Sequence, residues 1–303
     1  MAERAGTEGI HLMDAAGPAG TRIYAIGDVH GRLDLLREMH ARIGEEIERD
    51  APDDWRVVHV GDYIDRGPDS KGVIDFLIAA IGADSRHIAL AGNHDAGLVE
   101  FLSMPDKEGL FARHGGRQTA MSYGVEADFS SQRLARQAAD ALLAAMPASH
   151  VNFLTTLQRS VTFGDFFFCH AGIRPGVPLA LQNPEDLIWI REKFLNSPLL
   201  HEKVVVHGHT PSQTPEIMPN RVNVDTAAFS TGVLTALSID GTRKRILQIG
   251  EGRQQRDLVL VRTQDLLGGG IILGLRHIGF KDITEPVAFG LGDSIQKALE
   301  AGR

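Results

Sequence analysis

Three apolar runs, each closed by a glycine, constrain the fold of this chain more than any other feature. They are RIYAIG at 22–27, RVVHVG at 56–61 and HIALAG at 87–92. Runs this short and this apolar read as strands buried on both faces. The segments between them, 32–49 and 70–82, carry helical spacing, so the first third predicts a βαβαβ order. That order implies parallel pairing and gathers the loops after the strand ends along one edge of the sheet, where open α/β sheets bind ligands. Farther along, residues 95–157 read mostly helical; SSQRLARQAADALLAAM is the clearest case, and Pro147 stops it. β patterns return at SVTF, DFFFCH, KVVVHG, RVNVD and VLTALSID. The expected fold class is α/β, with a second sheet packed against the first.

Five short stretches stand at or just beyond these predicted strand ends: GDVHG at 27–31, GDYIDRG at 61–67, GNHD at 92–95, HAG at 170–172 and HGHT at 207–210. One GDxHG alone would be an ordinary turn, because Gly and Asp are common where a strand hands over to a helix. Recurrence of metal-type donors after successive strands points to chemistry instead. The mixed oxygen and nitrogen donors suit Mn, Fe or Zn. Asp28, His30, Asp62, Asn93, His170 and His209 make six candidate ligands. A four-coordinate catalytic zinc with an open position uses fewer, so two ions are expected, with Asp62 shared between them if it bridges.

In their order, these blocks resemble the signature of the phosphoprotein phosphatase family, within the calcineurin-like metallophosphoesterases. The bacterial and phage serine/threonine phosphatases are the most similar branch, diadenosine tetraphosphate hydrolases are near relatives, and the likeness runs over about residues 21–250. It implies a catalytic domain over 21–250 with a helical insert at about 95–157, folded as a β-sandwich of two mixed sheets flanked by helices in four layers, α/β/β/α. It places Asp28 and His30 on the first metal, Asp62 on both, and Asn93, His170 and His209 on the second. The family pattern GHT selects His209 over His207, which is expected to pack at a strand end. By the same resemblance His94 is the general acid, with Asp65 hydrogen-bonded to it and keeping its imidazole charged and oriented. Arg66, and Arg191 in DLIWIRE, are expected to hold the phosphoryl oxygens with their planar charged forks. Without the family pattern Arg191 would read as a solvated helix residue. RHGGRQTAMSYG at 113–124 also resembles a family stretch, its glycine pair shaping a helical cap. Asp225 in NVDTAA stays outside the set, because many family members carry Gly where Ala227 stands. Asp95 is expected to cap the helix that follows it; His87, His114 and His201 are expected at the surface or in the core, and His40 and His59 carry no assigned role.

Two cations about 3.5–4 Å apart clamp the attacking and leaving oxygens of a phosphate ester and ionise bridging water to hydroxide near neutral pH. The expected function is therefore hydrolysis of phosphoserine and phosphothreonine in proteins by attack of that hydroxide on phosphorus. The alternative is symmetrical hydrolysis of dinucleoside polyphosphates such as diadenosine tetraphosphate, which needs the same metals and acid. The intact ligand set and acid argue against a non-enzymatic metal scaffold. Two divalent ions per chain are the expected cofactors, Mn first, with Fe or Zn as the other choices; the expected partner is a phosphorylated protein, small molecule or dinucleotide.

Net charge is -8, which argues against a surface for duplex nucleic acid. A single cysteine, Cys169, excludes an internal disulfide and fits a reducing compartment; after FFF it reads as a buried thiol. The first twenty residues show no continuous apolar run, so 1–20 is expected as a loose leader and the protein as cytoplasmic, with no membrane partner. The extension at 251–303 is different in character. LLGGGIILGLRHIGF is apolar but broken by five glycines, which disfavours a helix, and residues 262–303 are expected to form a partner or self-association surface.

Overall fold

A computed structural model describes residues 9–250, 256–262 and 271–276. Among them, β1 (Thr21–Ile26), β2 (Asp54–His59) and β3 (His87–Ala89) run parallel, joined by helices α1 (Leu33–Asp50) and α2 (Ser70–Ala83). The βαβαβ reading of the first third is thus the observed order. After β3 come five helices: α3 (Asn93–Ser103), α4 (Leu110–Arg113), α5 (Gly116–Ser122), α6 (Gln132–Ala145) and α7 (Ala148–Thr156). Strands β4 (Ser160–Phe163), β5 (Phe166–Cys169), β6 (Val204–His207), β7 (Glu216–Ile217) and β8 (Arg221–Asn223) build a second sheet in the order β4-β5-β6-β8-β7. The chain then returns to the first sheet through β9 (Val233–Asp240), β10 (Arg243–Gly250), β11 (Arg256–Arg262) and β12 (Ile271–Arg276), giving seven strands in the order β12-β11-β10-β9-β1-β2-β3. Both sheets are mixed: β9 meets β1 antiparallel, whereas β5, β6 and β8 run parallel.

Alternation along the strands accounts for the layering. In β1, Ile23 and Ala25 face the second sheet, meeting Phe166, Phe168, Val204, Val206, Val222 and Val224 in the inter-sheet core. Tyr24 and Ile26 face the other way, onto Leu35, Met39 and Ile43 of α1. A strand covered on both faces has no solvent side to encode, so its sequence reads as a continuous apolar run. The second sheet is covered likewise: Phe167, Cys169 and Val205 pack beneath Leu187, Ile190 and Phe194, next to the short helices α8 (Asp186–Trp189) and α9 (Glu192–Leu195). The result is the expected four layers, with Cys169 buried as expected.

Three local expectations change. Residues 9–20 are not loose: Leu12 and Ala15 are fully buried in the inter-sheet core, and Ile10 bridges His201. Burying one leucine contributes roughly 2 kcal/mol, enough to tether a short segment. Residues 1–8 lie outside the described set. In the C-terminal extension, β11 and β12 continue the first sheet, and Leu260 reaches the same core. The expected self-association surface otherwise falls on 263–270 and 277–303, outside the described residues. β10 was absent from the sequence reading altogether; its buried Lys244, whose ammonium donates to the Ala15 carbonyl, interrupts the apolar signature of a strand. Among the described residues no helix is long and apolar enough to cross a membrane.

Candidate metal centre

Every parallel strand ends at one place. Asp28 follows β1, Asp62 follows β2, Asn93 opens α3 after β3, His170 follows β5, His209 follows β6 and Asp225 follows β8. Loops from two sheets therefore meet at one rim, and all six side chains are buried. The motif glycines make the meeting possible. A Cβ on Gly208 would stand 2.0 Å from Asp28 Oδ1, and one on Gly92 would stand 2.1 Å from Asp62 Oδ1. The backbone is bent to suit. His30, Asp62, Asp65, Arg66 and His209 all take positive φ, a region that costs non-glycine residues energy and that gathers at functional sites.

The six expected ligands do converge. Ligand atoms of Asp28, Asp62 and His170 lie within 4.8 Å of one another, as do those of His30, Asp62 and His94, and Asp62 is common to both groups. The amide oxygen of Asn93 lies 2.9 Å from His170 Nε2 and 2.8 Å from His209 Nδ1. The imidazoles are held in fixed tautomers by the rest of the protein. His30 Nδ1 donates to the Ile64 carbonyl at 2.6 Å and His170 Nδ1 donates to the Val60 carbonyl at 3.0 Å, leaving each Nε2 lone pair aimed inward. That arrangement sets the His170 lone pair against the Asn93 oxygen at 2.9 Å, two acceptors with no proton between them. Burial lowers the His170 pKa to about 3, so the ring stays neutral. Burial and the neighbouring carboxylates raise Asp28 far above its usual range, and Asp62 is raised by burial as well. Inward lone pairs beside crowded buried carboxylates form a donor set that fits divalent cations and little else.

Around this cluster stands a second layer of hydrogen bonds. His94 Nδ1 lies 2.6 Å from Asp65 Oδ2, the expected pairing. The expected charge on His94 is not what the geometry holds. Arg66 Nη2 donates to His94 Nε2 at 2.9 Å, so Nε2 carries a lone pair and the ring is neutral, and burial lowers its pKa in the same direction. Arg66 also donates to His30 Nε2 at 3.0 Å and stacks on Phe229, 4.8 Å from the ring centre. Arg191 is exposed and stands between α8 and α9, and its Nε donates to His209 Nε2 at 2.9 Å. Both arginines therefore spend donors on site imidazoles. His207 packs as expected, edge-on to Phe194.

Further residues support the cluster, and Thr119 among them carries no signal in the sequence. Asp95 caps α3 through the Gly92 N–H, but the same carboxylate also accepts from the N–H groups of Asp62 and Tyr63, tying the loop after β2 to the helix. Thr119 on α5 donates to Asp65 Oδ1 at 2.7 Å and accepts from the Asp65 N–H at 2.9 Å. Gly115, just before α5, takes φ +115 where a Cβ would meet the Arg66 backbone nitrogen at 2.5 Å. The glycine pair seen in the sequence thus seats α5 against Asp65 and Arg66. Asp225 enters the cluster too: burial raises its pKa to about 6, with Asp62 adding to the rise, while the Ala227 N–H donates to it at 2.8 Å. Its signal was present, an acid two residues past a strand end as in the other motifs.

The sequence profile of the calcineurin-like phosphoesterases matches residues 21–234. The chain belongs to that family. This calcineurin-like phosphoesterase is 25% identical over 239 residues to the asymmetrical bis(5'-nucleosyl)-tetraphosphatase PrpE of Anoxybacillus flavithermus, covering 70% of this chain and 88% of the relative. The protein of the same name from Halalkalibacterium halodurans is 26% identical over 240 residues, covering 70% and 87%. Among solved structures, a putative diadenosine tetraphosphatase superposes with a TM-score of 0.55 at 20% identity, over 78% of this chain and 97% of that one, and shares the fold. The cluster described above lies wholly within the matched span.

Proposed function

We propose that this phosphoesterase cleaves a phosphoanhydride bond of a dinucleoside polyphosphate. The observation that carries a dinuclear reading is that one carboxylate, Asp62, is shared by Asp28 and His170 in one group and by His30 in another, whose third member His94 is kept for the proton. Asp28, His30, Asp62, Asn93, His170 and His209 are the residues that would hold the divalent ions. A divalent pair there supplies Lewis acidity and a nucleophile from water at neutral pH. The substrate class is supported by the curated relatives, which are named as asymmetrical tetraphosphatases. They move this reading ahead of phosphoserine and phosphothreonine, which the motifs alone ranked first, and favour unequal over symmetrical cleavage.

The chain's own groups divide the work. Arg66 and Arg191 turn from the imidazole nitrogens onto phosphoryl oxygens, exchanging neutral acceptors for charged ones, which form stronger bonds. Freed of Arg66, His94 Nε2 takes up a proton and delivers it to the leaving oxygen, while Asp65 at 2.6 Å stabilises the imidazolium. Thr119 and Ser70 keep Asp65 in place.

The test compares kcat/KM on diadenosine tetraphosphate and on a phosphothreonine peptide, both with Mn, and identifies the nucleotide products. Preference for the dinucleotide with ATP and AMP as products is the expected result. Two ADP would replace asymmetry with symmetry, and preference for the peptide would return the function to protein dephosphorylation.

A further inference from the structure

Trp189 is the one aromatic ring among the exposed large hydrophobic side chains of the described residues, 44% accessible. Its location is not that of a stray surface residue. The ring stands edge-on to His209, 6.1 Å between centroids at 84°. Two residues later, Arg191 reaches the same imidazole. The backbone that carries the ring is rigidly fixed: Leu187, Ile188 and Ile190 are buried, the Ala171 N–H donates to the Leu187 carbonyl, and Arg174 forks onto Asp186 at 2.8 and 2.9 Å. Folding thus buries the neighbours on both sides and leaves the largest ring in water, at the rim of the metal centre. Phe229, beside His30, has its face covered by the Arg66 guanidinium, so of these two rings it is Trp189 that offers open π surface.

We propose that Trp189 is the base-stacking residue of this site, receiving the purine of a nucleoside phosphate whose phosphates lie against Arg191 and the carboxylate–imidazole cluster. The inference rests on the proposed dinucleotide substrate and deepens it. An aromatic ring carried on held backbone is suited to stacking on a flat base, and such a stack is worth about 1–3 kcal/mol by alanine substitution. The same plate explains how one cluster that binds any phosphate could prefer phosphates attached to a base.

Two measurements test it. For Trp189→Ala, the KM for diadenosine tetraphosphate should rise about 5–150-fold more than the competitive inhibition constant of tripolyphosphate, which has the phosphates but no bases. Trp189→Phe, which keeps a ring, should restore most of the loss. Separately, titrating AMP into the wild-type protein should quench tryptophan fluorescence, and the quench should vanish in Trp189→Phe, where Trp55 is the remaining indole of the two in the chain. An unchanged KM in Trp189→Ala would overturn the proposal, as would equal rises for dinucleotide and tripolyphosphate, which mark a structural role through His209. If the wild type fails to turn over the dinucleotide, the functional reading falls, and absence of an AMP quench then sinks the stacking residue independently.

Discussion

His94 is where single-residue chemistry is most exposed to experiment. Its Nδ1 is engaged by Asp65 and its Nε2 faces the site, so it can move a proton without being needed as a ligand. His94→Asn should lower turnover by about 10²–10⁴-fold while leaving the metal content of the purified protein unchanged; a parallel loss of metal by elemental analysis would make it a ligand instead. Ala227 offers a test of opposite sign. It holds φ 53, in the left-handed region, which costs a non-glycine residue about 1–2 kcal/mol. Glycine removes that cost but adds unfolded-state entropy, so Ala227→Gly should raise stability by up to about 1 kcal/mol in urea titrations. Residues of this kind differ in how visible they are in sequence. Asp28, Asp62 and His209 announce themselves because a glycine must precede each, to let another loop's carboxylate or backbone approach. Thr119 does not, since its partner Asp65 is 54 residues away and nothing local marks either as paired.

Elements tell a similar story. Strands buried on both faces were legible from their apolar runs, and α1 and α2 from their spacing between them. The two-residue β7 and the four-residue α8 and α9 were not, because segments so short carry no period and owe their shape to tertiary contacts. Helix α5 shows what such contacts do for function. It sits far from the metal-type residues in sequence and delivers Thr119 to Asp65 through a buried triangle with Ser70. Thr119→Val keeps the shape and removes the hydroxyl. It should cost about 1–3 kcal/mol of stability and lower kcat with little change in KM, because His94 loses its aim while the substrate contacts remain. Steady-state kinetics beside thermal melts separate the two effects; an unchanged kcat would remove α5 from the catalytic argument.

At the scale of the whole molecule, acid sensitivity is built in away from the site. His40 Nε2 and His59 Nε2 lie 2.8 Å apart with the rings stacked, and His59 Nδ1 donates to the Ile88 carbonyl. His59 Nδ1 carries the proton toward Ile88, so its Nε2 is the acceptor and that ring is neutral, while burial favours the neutral form of His40. Burial lowers His59 to about 4 and His40 to about 2, and their mutual repulsion would add to the lowering of His40. Unfolded, both titrate near 6.5, so their contribution to stability is complete above that pH and is lost as pH falls toward the folded values, at about 1.4 kcal/mol per pH unit for each ring. Urea midpoints measured from pH 7.5 to 4.5 should therefore fall, and His40→Gln should reduce the slope by about one group. A slope identical to the wild type would show that His40 is protonated in the fold.

The expected donors come from the loops after β1, β2 and β3 on one side and after β5 and β6 on the other, so no half of the polypeptide owns the centre. An ion lodged there is a rivet through the joint between two plates. Drawing it out with a chelator would loosen the sandwich as a whole, and a cell starved of that ion would lose the protein to proteolysis as well as its chemistry.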